Sequence, residues 1–283
     1  MKIAIAKHDE FAIGGGWSFI ANFKKAMGAM ITGYETADIY FIPSASMVSR
    51  EEVKQAQADG KKIVLRVDNV VRNSRNRGTG MTRMLDFSQM ADLVIFQSQF
   101  AEHLLNGYLK LENYKIILNS VDEDIFNNRG TADEGYNYLY CKYSSDETKN
   151  WEMARTAFQE IWSANDDLPL NFNIVGRFDQ KIQEYNFDFF NGEQFTYHGL
   201  VTDKERMADI YRANDYFFYT YFNDACSNTA IEALMCGCEI LGCYGMERTG
   251  GIGEIIDKFK RKGRKYFELK RMADEYKEAL SVL

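Results

Sequence analysis

The sequence is poor in the features that mark several classes of protein. It has only two prolines in 283 residues, and no apolar run approaches the roughly 20 residues that cross a bilayer as a helix. The amino terminus lacks the basic and then apolar stretch of a secretory signal. Five cysteines, an odd number without the spacing of a disulfide framework, favour free thiols in a reducing compartment. We therefore expect a cytoplasmic protein.

The composition of the chain is typical of a packed globular protein. Hydrophobic residues make up 46% of the chain and aromatic residues 14%, which is enough for a sizeable core. A chain of this length is long for one hydrophobic core, so we expect two domains.

Charge is distributed unevenly along the chain. The net charge is -7, but the segment from Lys258 to Arg271 is locally +7, which leaves -14 on the rest. A basic segment interleaved with aromatic residues attracts an anionic membrane, a nucleic acid or an acidic partner. A solvated helix face that balances an acidic body explains the same pattern. We keep peripheral contact with the inner membrane face as one expectation.

Ten short apolar runs, separated by segments of helical length and pattern, predict strands. They lie at residues 3–6, 39–42, 63–67, 93–96 and 116–118, and at residues 138–141, 172–175, 195–198, 216–220 and 239–241. Runs that are apolar without alternation suggest strands covered on both faces, as in parallel sheets wrapped by helices. The sequence predicts two α/β domains, each with a parallel sheet.

The polar stretch of residues 119–135, rich in Asn and Gly, separates the two sets of strands and predicts a linker. We expect an amino-terminal domain over residues 1–130 and a carboxyl-terminal domain over 131–245. Residues 246–283 predict a basic helical segment that packs across both domains.

A triple glycine follows the first strand and precedes a helical pattern. A strand, a glycine-rich loop containing Gly15 and Gly16, and a helix bring backbone amides close to an anion or a sugar. The dinucleotide fingerprint would need glycine where Phe19 stands, and no Gly-Lys-Ser/Thr run is present. A purely structural turn remains the alternative.

Arginines cluster at and after the third strand. Because loops at the carboxyl ends of parallel strands line the ligand crevice, Arg66, Arg72 and their neighbours are candidates for contacting an anionic group. Asp68 lies at the same edge. Solvated loop arginines, with Asp68 as a turn residue, are the alternative.

Four of the five cysteines lie within residues 223–243. Thr229 and Glu232 have the spacing of a capping box, which predicts a helix that starts after Thr229. Cys226 and Cys236 are then about 15 Å apart along the helix, too far to share one zinc ion. We expect packing thiols and no metal site. Glu232 either only caps the helix or lies beside a helix amino terminus that binds a diphosphate.

The run of residues 198–242 resembles the nucleotide-sugar-binding half of retaining GT-B glycosyltransferases, the family 4-like group. The matching parts are His198-Gly199, the strand approach Arg212-Ala-Asn-Asp215, and an acid followed after seven residues by Glu-Ala, here Asp224 and Glu232. The resemblance implies two Rossmann-like domains with parallel sheets that face across a cleft, and a terminal helix that crosses back.

The resemblance also implies roles for residues of the second half. Glu232 would bind the ribose hydroxyls, Asp224 the transferred sugar, and Lys142 and Lys149 would neutralise the leaving diphosphate. The remaining donor-binding candidates are Gly15, Gly16, Gly176, Arg177, Gly199, Ser227, Asn228 and Thr229. Two positions depart from the pattern: Asp224 stands where Glu is usual, and Lys142 where Arg is usual.

The resemblance thus implies transfer of a sugar from a nucleotide diphosphate such as UDP to an unknown acceptor, with retention and without a required cofactor. The acceptor would be a lipid-linked or glycan molecule, or a modified base in nucleic acid. The acceptor-side candidates are His8, Arg66, Asp68 and Arg72, with Asp68 and His8 as candidates for orienting the acceptor. The alternatives are a non-catalytic nucleotide-sugar-binding protein and a nucleotide-sugar epimerase on the same fold.

Overall fold

A computed structural model describes residues 1–6, 14–68, 80–130, 136–142, 149–165, 167–178, 195–242 and 250–283. The chain divides into two compact units. Unit 1 comprises Met1–Val121, Asp224–Asn228 and Gly250–Leu283, and unit 2 comprises Asp122–Asn223 and Thr229–Thr249. The units differ from the expected domains of residues 1–130, 131–245 and 246–283 in three ways. The first segment of unit 1 ends at Val121, unit 1 includes Asp224–Asn228 from the second half, and Gly250–Leu283 belongs to unit 1.

Unit 1 contains a five-stranded parallel sheet in the order β1-β2-β3-β4-β5. The strands are β1 Ile3–Ile5, β2 Ile39–Ile42, β3 Lys62–Val67, β4 Leu93–Phe96 and β5 Tyr114–Ile116. Its helices are α1 Gly15–Met27, α2 Arg50–Ala58, α3 Gly80–Met90 and α4 Gln99–Leu109, together with α8 Ile252–Lys262 and α9 Leu269–Leu280 near the carboxyl terminus. Helix α7 Asn228–Cys236 begins in unit 1 with Asn228 and continues in unit 2.

Both faces of this sheet are apolar because its strands have no polar alternation. In aligned positions, Ile42, Leu65 and Val94 belong to one buried core. Their neighbours along the strands, Phe41, Val64 and Leu93, belong to a second core on the opposite face, which α1 and α9 cover. The continuous apolar runs therefore give the doubly covered sheet that the sequence predicts.

Unit 2 contains a second five-stranded parallel sheet, in the order β10-β9-β6-β7-β8. The strands are β6 Tyr136–Lys142, β7 Leu170–Gly176, β8 Phe195–Tyr197, β9 Tyr216–Tyr219 and β10 Glu239–Gly242, and the accompanying helices are α5 Trp151–Ala164, α6 Lys204–Arg212 and the rest of α7. Phe158 of α5 packs with ring centroids 4.3 Å from both Phe172 and Phe218, which joins the helix to β7 and β9.

All ten predicted strands are present, with bounds that differ by a few residues at most. The largest difference is β5, which covers Tyr114–Ile116 and shares only Ile116 with the predicted run. Within the described ranges the longest helix, α5, has 14 residues, and no helix there is long and apolar enough to cross a membrane.

Candidate functional site

The carboxyl ends of three strands in unit 2 meet at one edge of the sheet. Lys142 ends β6, Gly176 ends β7, and Gly199 follows β8. The Arg177 amide donates to the Lys142 carbonyl at 2.9 Å, and the Gly176 amide donates to the Gly199 carbonyl at 2.8 Å. Four of the predicted donor-site residues are thus neighbours along this edge.

Glycine is required at position 176. Its φ is +139°, and a Cβ atom built there would lie 1.7 Å from the Lys142 carbonyl oxygen. Any side chain would push β7 away from β6 at this point, because no heavy atoms approach so closely without a bond. The close approach restricts the backbone of Lys142. The Nζ atom of Lys142 lies 5.3 Å from the centre of the buried Phe178 ring.

Lys149, the second predicted cation, lies just before α5. Its Nζ lies 3.6 Å from the centre of the Tyr221 ring, a cation-π contact. Its carbonyl oxygen accepts hydrogen bonds from the Tyr140 hydroxyl at 2.9 Å and the Thr220 hydroxyl at 2.7 Å. The Tyr221 hydroxyl donates to the Cys141 carbonyl at 2.6 Å, which holds the ring in place. Lys149 is therefore anchored to residues at the ends of β6 and β9.

Glu232 lies within α7, and the predicted capping box is wrong. The helix begins at Asn228, so Thr229 lies in its first turn and Glu232 is too far along to be the third helical residue. The Glu232 carboxylate instead accepts a hydrogen bond from the buried Tyr211 hydroxyl at 3.2 Å. The side chain is thus held by packing against α6 and not by a local cap.

Burial raises the pKa of Glu232 to about 7, while the charge of Lys204 and the Tyr211 hydroxyl lower it and only partly offset the burial. The side chain is 9% exposed. A carboxylate that is weakly solvated in this way gains strongly from hydroxyl donors, so the position suits a ligand that brings hydroxyl groups.

Of the remaining predicted donor residues, unit 1 holds Gly15, Gly16, Ser227 and Asn228, whereas Thr229 belongs to unit 2. Gly15 and Gly16 open α1, after Gly14 with φ of +143°. The Gly15 carbonyl accepts a hydrogen bond from the Asn228 side chain at 3.0 Å. Ser227 and Asn228 are buried, at 4% and 8% exposure. The glycine-rich start of α1 therefore contacts the first residue of α7.

The segment Asp224–Asn228 is held in unit 1 by close backbone contacts. The Gly251 amide donates to the Asp224 carbonyl at 2.9 Å. A Cβ at Gly251 would lie 1.9 Å from the Ala225 carbonyl oxygen, and one at Gly250 would lie 2.9 Å from the Asp224 carbonyl oxygen. Only glycine allows the start of α8 to approach Asp224 and Ala225 this closely.

Arg66, expected to contact an acceptor, is an interior residue of β3. It is 2% exposed, its guanidinium donates to the Pro43 carbonyl at 3.2 Å and to Asn119 Oδ1 at 3.0 Å, and it stacks 3.5 Å from the centre of the Phe19 ring. Arg66 therefore binds the protein's own groups. Asp68 is half-buried after the end of β3. The other acceptor candidates, His8 and Arg72, lie outside the described residues, as do Arg75 and Arg77.

The cysteines pack in the interior. Cys141, Cys226, Cys236 and Cys238 are buried free thiols, and Cys243 is outside the described residues. Burial raises the pKa of Cys226 to about 12. In the part of the chain that the structure describes, no group of three His, Cys, Asp or Glu side chains is arranged to hold a metal ion.

Several residues that support the candidate residues within each unit were missed in the sequence. Tyr211 and Tyr221 lie in aromatic strand and helix patterns that look like ordinary core, and Asn119 lies in a polar run assigned to a linker. The adjacent glycines Gly250 and Gly251 before a helical pattern were a usable signal, since paired glycines at a helix start often mark close backbone contact.

Comparison with solved structures shows the same fold in nucleotide-sugar glycosyltransferases. Anabaena HepE in complex with UDP is 14% identical with a TM-score of 0.71, and all of each chain is covered. Its complex with UDP-glucose gives 13% identity with the same TM-score and coverage. Sucrose-phosphate synthase from Thermosynechococcus elongatus is 17% identical, with 87% of this chain and 75% of that chain covered and a TM-score of 0.65.

At these identities the likeness concerns the fold: the chain is an α/β protein with two parallel five-stranded sheets, as in GT-B glycosyltransferases. No protein-family model matches the chain, and no curated protein matches its sequence.

Proposed function

We propose that the protein transfers a sugar from a UDP-sugar to an acceptor, with retention of the anomeric configuration. The observation that carries the proposal is the edge of the unit 2 sheet, where Lys142 ends β6 and Lys149 is anchored to residues at the ends of β6 and β9. The likeness to a structure with UDP and UDP-glucose bound supports this choice of donor. The spacing of Asp224 and Glu232 supports retention, through the family that it resembles.

In this proposal the two lysines stabilise the negative charge that develops on the departing diphosphate. A fixed cation stabilises such charge without having to reorganise during the reaction. The ring of Tyr221 restricts the Lys149 ammonium, and the close approach of Gly176 restricts the backbone of Lys142. The positive charge comes from the chain, so the proposal requires no divalent metal.

Glu232 receives the ribose hydroxyls of the donor. Ionised, it accepts two hydrogen bonds from neighbouring hydroxyls, and burial increases the free-energy gain from each of them. Asp224 contacts the transferred sugar, with a side chain one methylene shorter than the usual Glu. We therefore expect Asp224 to select a donor sugar that presents a hydroxyl close to the protein backbone.

The acceptor side is assigned to unit 1, where Asp68 follows β3 and where His8 and Arg72 are expected by sequence. Arg66 is left out of direct acceptor contact because its guanidinium is buried and hydrogen-bonded. The acceptor is proposed as a lipid-linked or glycan molecule, with a base in nucleic acid as the alternative.

An exposed basic surface supports a lipid-linked acceptor. It consists of Lys260, Arg261, Lys262, Arg264 and Lys265, all exposed at the end of α8 and in the turn that follows. We infer that this basic surface brings the protein to the anionic inner face of a membrane, where a lipid-linked acceptor would be found.

The proposal is tested by titrating the protein with UDP and UDP-glucose in a calorimeter and by measuring release of UDP with and without cell-extract acceptors. We expect Lys149→Ala and Glu232→Ala each to weaken UDP-glucose binding about tenfold or more, as the loss of a charged hydrogen-bonding partner does. Lys54→Ala, an exposed lysine of α2, is the matched control and leaves binding unchanged.

The outcomes separate the alternatives. Binding by the wild type with no product from any donor or extract would indicate a non-catalytic binding protein. Interconversion of free nucleotide sugars without an acceptor would indicate an epimerase. Unchanged affinity in both alanine variants would refute the site.

A further inference from the structure

Asn119 lies at the centre of a buried hydrogen-bond network in unit 1 and is itself 2% exposed. Its Nδ2 atom donates to Asn228 Oδ1 at 2.8 Å, to Gln97 Oε1 at 3.0 Å and to the Cys226 carbonyl at 3.2 Å. Its Oδ1 atom accepts from the Arg66 guanidinium at 3.0 Å. One carboxamide therefore joins β3, the end of β4 and the segment Asp224–Asn228.

The chemistry of the partners fixes which way the Asn119 amide points. A guanidinium only donates and a carbonyl only accepts, so Oδ1 must face Arg66 and Nδ2 must face Cys226. Arg66 is itself held by the Pro43 carbonyl and the Phe19 ring. The orientation of the Asn119 amide is therefore determined by these neighbours.

The network continues from Asn119 to the start of α1. Asn228 accepts from Asn119 through Oδ1, so its Nδ2 atom is directed to the Gly15 carbonyl, to which it donates at 3.0 Å. The Asn119 side chain thus holds the Cys226 carbonyl directly and, through Asn228, also holds the glycine-rich start of α1 at Gly15. Gly251 holds the opposite end of the segment at Asp224.

We propose that Asn119 is a positioning residue for donor binding. It fixes the peptide groups of Cys226–Asn228 and Gly15 in one arrangement, so that their backbone amides are already oriented for a diphosphate before it binds. Asn119 itself touches no donor. The inference rests on the proposed function, since it assigns Asn119 a part in binding the UDP moiety.

Preorganisation of this kind lowers the entropic cost of binding. Loss of the donor group of Asn119 leaves the Cys226 carbonyl and Asn228 Oδ1 buried without their partner, and the segment then adopts several arrangements. The effect is expected on UDP affinity, because in this proposal the peptide groups of the segment bind the diphosphate.

The test is calorimetric titration with UDP of wild type, Asn119→Asp and Asn228→Ser. Asn119→Asp keeps the shape and the bond to Arg66 but removes the donor, and Asn228→Ser cuts the link to Gly15 from the other side. Each is expected to weaken UDP binding about tenfold, the effect of one lost buried hydrogen bond. Asn113→Asp is the matched control: it removes one side-chain bond to the Asp92 carbonyl elsewhere in unit 1, and UDP affinity stays unchanged.

The double variant distinguishes positioning from a merely structural role. If Asn119 acts through Asn228, the double variant binds UDP no more weakly than the weaker single variant, whereas independent effects multiply. A lower melting temperature with unchanged UDP affinity in both single variants, or multiplied effects in the double variant, overturns the inference.

Circular dichroism identifies any variant that fails to fold. If Asn119→Asp fails to fold, the UDP affinity of Asn228→Ser alone tests the inference. A wild type that binds no UDP overturns the proposed function and the inference with it, whereas wild-type binding that survives in the variants overturns only the inference.

Discussion

Glu232 shows how burial of a single carboxyl links the folding of unit 2 to pH. Its usual pKa is 4.5 and its folded value is about 7. Below about pH 4.5 the group is protonated in both the folded and the unfolded chain. Between these values the folded chain keeps a proton that the unfolded chain has released, so the free energy of unfolding falls as pH rises and the contribution is lost above about pH 7.

We predict a loss of about 3 kcal/mol of unfolding free energy from this group between about pH 5 and pH 8. Glu232→Gln removes the titration, so its unfolding free energy falls less over the same range. Urea unfolding at the two pH values measures the difference. Glu239→Gln, at an exposed position of β10 in the same unit, is the control and keeps the wild-type dependence. Equal pH dependence in wild type and Glu232→Gln would contradict the prediction.

At the scale of elements, Tyr221 contacts both the end of β6 and the residue Lys149 that precedes α5. The ring lies under the Lys149 ammonium, while its hydroxyl donates to the Cys141 carbonyl. Comparison of two substitutions separates the ring contact from the hydrogen bond. Tyr221→Phe keeps the ring and loses about 1 kcal/mol of stability with the hydrogen bond. Tyr221→Leu loses the ring as well, and with it the contact that restricts Lys149.

We therefore expect UDP affinity to be nearly unchanged in Tyr221→Phe and lowered about fivefold in Tyr221→Leu, since a cation-π contact contributes about 1 kcal/mol. Calorimetric titration and thermal melting of the two variants give the two quantities separately. A loss of affinity in Tyr221→Phe as large as in Tyr221→Leu would show that the ring does not restrict the lysine.

The elements themselves were predictable because each strand is a short apolar run. Runs such as Ile39–Ile42 and Leu93–Phe96 contain all the information needed for a doubly covered parallel strand. The start of α7 was not predictable in this way. Thr229 and Glu232 have the spacing of a local cap, but Asn228 is drawn into the helix start by bonds to Asn119 and Gly15, residues more than 100 positions away in sequence.

At the scale of the whole molecule, the sequence predicted domains over residues 1–130 and 131–245 and a terminal segment over 246–283. Unit 1 instead joins Met1–Val121, Asp224–Asn228 and Gly250–Leu283. The local sequence pattern does not predict this grouping, because it depends on two long-range bonds: the Gly251 amide donates to the Asp224 carbonyl, and the Asn119 side chain donates to the Cys226 carbonyl. The positions of Lys142, Gly176 and Gly199 at or just after strand ends agree with the predicted strands, and their donor-binding roles stay predictions. Their supporting residues were not predictable, since tyrosine and asparagine carry no distinctive spacing.

The charge of the whole chain decides how the basic surface acts. The acidic remainder, at -14, repels an anionic membrane, and the segment from Lys258 to Arg271, at +7, attracts it. The protein is therefore expected to approach with the basic surface first. Each basic side chain near an anionic bilayer contributes about 1 kcal/mol, an attraction that falls off within a Debye length of about 10 Å at 0.1 M salt.

We predict that the protein sediments with vesicles containing phosphatidylglycerol, does not sediment with vesicles of phosphatidylcholine alone, and is released by about 0.5 M salt. The triple variant Lys260→Glu, Lys262→Glu and Arg264→Glu reverses three charges of the basic surface and abolishes sedimentation. The control Lys54→Glu, Lys110→Glu and Lys115→Glu changes net charge equally at exposed positions elsewhere. The change in net charge weakens the sedimentation of both variants with vesicles by the same amount. A larger loss of sedimentation in the first variant therefore shows that the basic surface itself faces the membrane. Equal loss in both, or tighter binding of the wild type to an oligonucleotide than to the vesicles, would favour a general charge effect or a nucleic-acid partner instead.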